Sequence, residues 1–335
     1  MSSRPSWEAA RDRTRAEPRR RWRRRRKGRR KRVRRRLVTE LVQNLVDGLG
    51  RGSIYALLAL GIAVIFGVMH LVNFAHGELI TVSAYVSYWM FTSTDALATW
   101  WVAVPAIFLT AVVTSVLIEF VAFRWVRGAP DFTMLLTSFG VHFVVQAVFV
   151  MYVSANVRNF TRPGWIFDTW VLGGVTFEVV DVVTILVTGV TLALTVWLLQ
   201  RTLFGVSLRA AAEDFDAARL MGVRSDRVIR GAFVLAGALA GVAAVFWLMR
   251  SGQASPGAGV TPMLKGVLAA IIGGLGSLPG AVLGGFALGL TEVLLRAWLP
   301  ESIVGLTDGV VFGLIALLFI FRPQGFISVG HAERV

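Results

Sequence analysis

The chain contains no cysteine, and its 335 residues include only three lysines, Lys27, Lys31 and Lys265. The first absence excludes disulfide frameworks and thiolate metal sites. The second excludes a phosphate-cradling GxxxxGK(S/T) loop, because none of the three lysines stands in that context. Any ATP that drives this protein is therefore bound, with its Mg, by another chain. The four histidines (His70, His76, His142, His331) fall in no metal-ligand spacing such as HExxH, and no GxSxG turn is present. No metal site, no cofactor bound by this chain and no catalytic residue are expected. Charged residues make up 16% of the chain and hydrophobic residues 55%, arranged in repeated long runs, which is the composition of a polytopic membrane protein.

The net charge of +15 is local rather than global. Residues 1–36 hold 19 of the 35 Lys+Arg and three of the 20 Asp+Glu, a net +16, so the remaining chain is close to neutral at −1. An arginine run of this density is disordered by self-repulsion. Dense arginine also neutralises phosphates, but nucleic-acid binding is the weaker reading of residues 1–37. Two others are stronger: a cytoplasmic polybasic flank leaning on anionic lipid, or a start-site artefact, since no Met occurs between Met1 and Met69.

Nine apolar segments follow, at 53–72, 78–94, 100–123, 133–153, 180–200, 229–250, 263–275, 281–299 and 303–321. Most approach the ~20 residues that span ~30 Å of hydrocarbon, and only helix satisfies the backbone there. The basic loops at 124–131 and 201–230 read as cytoplasmic with both termini, whereas 154–179 and 250–262 read as extracytoplasmic. With the N-terminus inside, three segments before residue 124 leave an odd crossing count, so one segment is broken or re-entrant. The joint at 73–78 is the first such break and the glycine run at 273–280 the second. The expected fold is an all-α polytopic membrane domain over 38–326 with about eight transmembrane helices, followed by a short cytoplasmic tail at 327–335.

Polar groups inside such spans are candidates for function. Asn73, His76 and Glu78 at the first break, Lys265 in the short segment 263–275, and Gly274 and Gly276 at the second break are the substrate-path candidates. For His76 and Glu78 the alternative is capping of the broken backbone, and for Lys265 it is snorkelling to the interface. The other candidate lies in 205–230. Leu208, Ala211, Ala212, Phe215 and Ala218 recur at helical spacing among charges, and Gly222 is a helix stop, which predicts one short amphipathic helix offered to a soluble partner.

The run GSIYALLALGIAVIFGVMHLVNFAHGELITVSAYVSY (52–88), the loop SLRAAAEDFDAARLMGV (207–223) and the run LAAIIGGLGSLPGAVLGGFALGLTEVLL (268–295) resemble the permease subunits of branched-chain amino-acid ABC importers. The NFAHGE block resembles the first-type permease of that pair, and the similarity covers about residues 41–326. The resemblance implies two cytoplasmic ATPases, a second homologous permease, an extracytoplasmic substrate-binding protein and an inner-membrane location. It also implies that 201–230 carries a coupling helix, with Asp216-Ala217-Ala218 in place of Glu-Ala-Ala and Gly222 as its glycine. Leu208, Arg209, Glu213 and Phe215 complete the expected contact set. Permeases for urea and short amides share these blocks and remain an alternative. A stand-alone channel or secondary transporter is the further one, though Glu78, Glu119 and Glu292 are too scattered to form an ion relay.

Overall fold

A computed structural model describes residues 39–93, 99–172, 174–300, 302 and 304–321. The Arg-rich segment 1–37 and the tail 327–335 lie outside these residues. The described chain is all-α apart from two short strand pairs. Six helices are long and apolar enough to cross a membrane: α1 (Thr39–Met69), α3 (Trp100–Val121), α4 (Asp131–Tyr152), α5 (Val179–Arg201), α8 (Ser225–Ser251) and α10 (Leu278–Trp298). Three shorter apolar helices accompany them, α2 (Glu78–Ser93), α9 (Val260–Gly273) and α11 (Thr307–Phe321), while α6 (Leu203–Glu213) and α7 (Phe215–Leu220) fill the charged connection.

Small residues decide which helices become central. α1 is buried along most of its length and α8 along much of it. On α1, Gly48, Gly52 and Ala56 let α10 approach to backbone contact: Gly52 faces Phe286, and Gly285 and Gly289 face Ala56 and Gly52. The α10 glycines also serve α9, since Gly284 meets the Ala269 carbonyl and Gly280 meets that of Gly273. The glycine ladder is thus spent on packing inside this chain. α3, α4 and α5 instead turn large apolar side chains outward, among them Leu109, Leu117, Phe132, Phe143, Leu186 and Trp197. That surface is suited to lipid or to another membrane chain.

The two expected breaks are present, and one short helix, α9, connects them. The chain leaves α1 through His70 at φ 54°, turns at Asn73 and makes a 3-10 turn over Phe74–Gly77 before α2 starts at Glu78. Asn73 stabilises that turn by accepting the Ala75 N–H at 3.0 Å. α9 ends at Gly274, φ 102°, and Gly276 at φ 95° completes the reversal into α10, positions that favour glycine. Gly77 abuts Gly259 and Met263, and the Gly259 N–H donates to Thr81 Oγ1 at 3.2 Å. The first break therefore packs on the start of the helix that carries the second.

One orientation expectation changes. At one end of the bundle Gln43 accepts the Thr176 N–H at 2.9 Å, Gly50 lies against Asp181, and Asp181 pairs with Arg250. The short strands β1 (Arg158–Asn159) and β4 (Gln253–Ala254) pair there as well, and β2 (Thr169–Leu172) pairs with β3 (Val175–Glu178), which leads directly into α5. At the other end Val68 and Met69 share a cavity with Arg127, Phe215 and Arg230. The start of α1 therefore lies opposite the 201–230 segment, not beside it. Three helices between opposite faces is an odd crossing, so the count closes without assigning any of them to a half-crossing. Charge counting had placed the start of α1 by the arginine tail, which lies outside the described residues.

Candidate functional site

The charged connection forms two helices rather than the single one expected. Asp214 breaks it, adopting φ −152° and ψ 105° and accepting the Ala217 N–H at 3.0 Å as N-cap of α7. Aspartate competes for backbone donors in this way wherever a helix can restart. Gly222 ends the pair as anticipated: at φ 89° its N–H reaches the Arg219 carbonyl, and the Val223 N–H reaches that of Ala218, each at 3.0 Å. Asp214→Ala should remove about 1 kcal/mol from α7. Hydrogen exchange at the Ala217 amide should then quicken about fivefold, while the amides of α8 stay unchanged.

Burial revises the expected contact face. Leu208, Ala211 and Ala218 are buried against this chain, and Phe215 is half-buried. Leu208 and Ala218 are thus packing residues and are not available to a partner. Arg209, Glu213, Asp216, Ala217 and Gly222 are exposed. So are two side chains that periodicity alone did not single out, Leu220 at 89% and Met221 at 86%. Their signal in the sequence was an apolar pair immediately before the glycine stop. Beside them a cavity of about 940 Å³ is lined by Arg127, Arg219, Arg230, Asp131, Asp216 and Asp226 among others. Arg127 ion-pairs with both Asp226 and the buried Glu119 of α3, and Arg230 lies 3.9 Å from Glu119. One carboxylate inside α3 thereby holds the α3–α4 connection and the start of α8 together.

The substrate-path candidates separate into two clusters. Around the first break, Glu78 is buried and meets His142 Nδ1 of α4 at 2.6 Å, with Gln146 at 3.2 Å from the other ring nitrogen. His76 is buried against Gly61, and neither ring nitrogen has a hydrogen-bond partner among the described residues. Asn73 is also buried and caps the turn through its side-chain oxygen.

Lys265 belongs to the second cluster and does not snorkel. Its ammonium lies 2.9 Å from Glu292 Oε2, 3.0 Å from Asp308 Oδ1 and 3.3 Å from the Tyr55 hydroxyl. Glu292, 1% exposed, also accepts Tyr55 at 2.7 Å, Arg51 at 3.1 Å and Arg296 at 2.9 Å. Three helices, α1, α9 and α10, thus converge on one carboxylate, and α11 joins them through Asp308 on Lys265. Gly274 and Gly276 shape the α9–α10 reversal that brings Lys265 and Glu292 to the same level. Arg51, Tyr55 and Asp308 reach this cluster from distant parts of the chain, and only Arg296 stands within a helical turn of Glu292.

An all-helical apolar bundle with buried ion pairs and a charged helix pair between spans defines an integral membrane protein of the permease type. The comparisons make the class particular: residues 44–320 match the family described as branched-chain amino acid transport system / permease component, and the chain belongs to that family. It is 32% identical over 300 residues to the high-affinity branched-chain amino acid transport system permease protein BraD of Pseudomonas aeruginosa, covering 86% of this chain and 96% of the relative. Identity to the corresponding protein LivH of Escherichia coli K12 is 33% over 303 residues, with the same coverage. A probable branched-chain amino acid transport permease protein LivH of Methanocaldococcus jannaschii is 26% identical over 290 residues, 83% of this chain and 89% of the relative. No solved structure gives a significant match.

Proposed function

We propose that this chain is the first-type permease of an ABC importer in a prokaryotic inner membrane, moving branched-chain or related amino acids delivered by an extracytoplasmic binding protein. Two cytoplasmic ATPases bind the ATP and Mg, and a second homologous permease covers part of the outward apolar surface of α3, α4 and α5. The observation that carries this reading is the α6–α7 pair. It exposes Leu220 and Met221 beside Asp216 and Arg219, an apolar tip within a charged rim that suits a protein groove. The Lys/Arg count of the connections between helices supports a cytoplasmic position for this end, with the 122–131 connection. The start of α1 and the 158–181 and 250–254 segments then face outward. α11, which starts beside Lys265, leads its C-terminal end inward.

In this arrangement closure of the ATPase dimer moves α7 as a rigid body. The Asp226–Arg127–Glu119 ion pairs pass the displacement to α3, α4 and α8. Gly222→Val strains a positive-φ position, and Asp216→Lys reverses an exposed charge. Both variants should insert normally but lose most substrate-stimulated ATPase activity in the reconstituted complex. Normal stimulation in both would remove the coupling role. Recovery of the permease without any ATPase chain, together with ATP-independent uptake into liposomes, would overturn the importer reading as a whole.

A further inference from the structure

The Lys265–Glu292 cluster does more than hold helices together. Beside it opens a cavity of about 340 Å³, at the end of the bundle that carries Asp181 and Arg250 and away from α6–α7. We propose that this cavity is a binding site for a free α-amino acid, taking the carboxylate on Arg51 and Arg296 and the ammonium on Asp308. The inference rests on the importer reading and gives its cargo a place within the permease.

Glu292 is saturated by four donors, so it is not the ligand group. It acts as the anchor that fans two guanidiniums into the cavity. Each arginine sends one nitrogen to Glu292 Oε1, and a guanidinium has five N–H donors in a fixed fork. The Arg51 and Arg296 side chains remain 35% and 40% exposed at the cavity wall. Charge points the same way. The lining holds Arg51, Arg250, Lys265 and Arg296 against Glu292 and Asp308. Asp181 neutralises Arg250 and Asp47, one turn before Arg51, acts on Arg51, so the wall is balanced overall and its two poles stand apart. A zwitterion, itself neutral, enters without disturbing that balance.

Asp308 supplies the opposite pole. It pairs with Lys265 through Oδ1 yet keeps 44% of its side chain exposed. Ile54 and Trp247 give the cavity its apolar wall. Two separated charges of opposite sign beside an apolar surface, in a volume at the lower end of the ~300–1,000 Å³ typical of small-ligand sites, match a zwitterion with a hydrocarbon side chain. A plain anion leaves Asp308 without a role, and a plain cation leaves the arginine fork without one.

The test uses the whole importer in phosphatidylcholine nanodiscs without its binding protein, measuring saturable binding of radiolabelled L-leucine. Leucinamide, which lacks the carboxylate, and 4-methylpentanoate, which lacks the ammonium, should each compete at least about tenfold more weakly than leucine. Arg296→Gln should lower the discrimination against leucinamide several-fold, with Arg51 retaining the rest, and Asp308→Asn should abolish the discrimination against 4-methylpentanoate. Both positions are part-exposed, so the Glu292–Lys265 core stays paired; Arg51→Gln substitutes for Arg296→Gln, and Asp308→Ser for Asp308→Asn, where either fails to assemble. Absence of saturable binding, or survival of both discriminations undiminished in the variants, overturns the site whenever the same complex still takes up leucine with its binding protein. Loss of leucine binding on replacing phosphatidylcholine by phosphatidylethanolamine assigns the cavity to a lipid headgroup and overturns it also. A complex that takes up no amino acid even with its binding protein fails at the importer reading instead.

Discussion

Glu292→Gln should be the most damaging single substitution in the polar core, destabilising the transmembrane domain by about 3–5 kcal/mol, the usual cost of leaving buried charge unpaired. Glu292 is 1% exposed and faces Lys265, Arg51 and Arg296. Without its charge, three cations confront one another with only Asp308 on Lys265 and Asp47 near Arg51 to offset them. The partner substitution is not equivalent. Lys265→Met leaves Glu292 with Arg51, Arg296 and Tyr55, so its cost should stay near the ~1–3 kcal/mol of a lost charged hydrogen bond. Glu292→Gln combined with Lys265→Met should be less damaging than Glu292→Gln alone, because one unpaired cation leaves with the carboxylate. Unfolding of the purified permease in mixed micelles measures all three. Equal losses from the two single variants would show that the carboxylate is not the centre of the network.

The second large effect comes from a single methyl group. Gly285→Ala should prevent α1 and α10 from reaching their native separation, because the new Cβ would fall on the Ala56 backbone. No side chain can rotate away to relieve that overlap. The expected penalty is at least the ~1–3 kcal/mol of an overpacked core, with a matching fall in membrane-inserted protein. The same change at Gly140 of α4 or Gly313 of α11 meets nothing within 4 Å. There alanine should be neutral or stabilising by up to about 1 kcal/mol, through helix propensity. Thermal aggregation of fluorescent fusions reads all three variants together, and a harmless Gly285→Ala would contradict the close α1–α10 crossing.

Much of the architecture was legible because a bilayer limits what an apolar run can do. The segments at 100–123, 133–153, 180–200 and 229–250 each correspond to a helix, since nothing else satisfies the backbone in hydrocarbon. Both breaks were legible for the same reason: the Asn73–Glu78 joint and the Gly273–Gly280 run carry groups that an unbroken span does not need. The start of α1 was not. Its first turns, with Glu40, Gln43, Asn44 and Asp47, are too polar to read as a span. They are held by the Thr176 N–H and by a neighbour at Asp181 that lies far along the chain.

The connection between α5 and α8 shows where periodicity stops being informative. Helical spacing located Leu208, Ala211 and Ala218 on one face, but it does not state what that face meets. Tertiary packing gave it to this chain's own bundle and left Leu220 and Met221 outside. Likewise Lys265, Glu292, His142 and Glu119 were visible as costly charges or polar groups, and only the fold decided their partners. His142 went to Glu78, Glu119 to Arg127, and Lys265 to Glu292 and Asp308.

The sequence by itself determined an all-helical membrane domain with two breaks, an exposed charged connection and no nucleotide motif of its own, because hydrocarbon thickness and backbone hydrogen bonding act locally along the chain. Tertiary structure alone decided which end of the bundle α1 starts from, which glycines touch, and that Arg51, Tyr55, Lys265, Glu292, Arg296 and Asp308 share one site. Those are contacts between residues as many as 241 positions apart, and only packing of helix against helix brings them together.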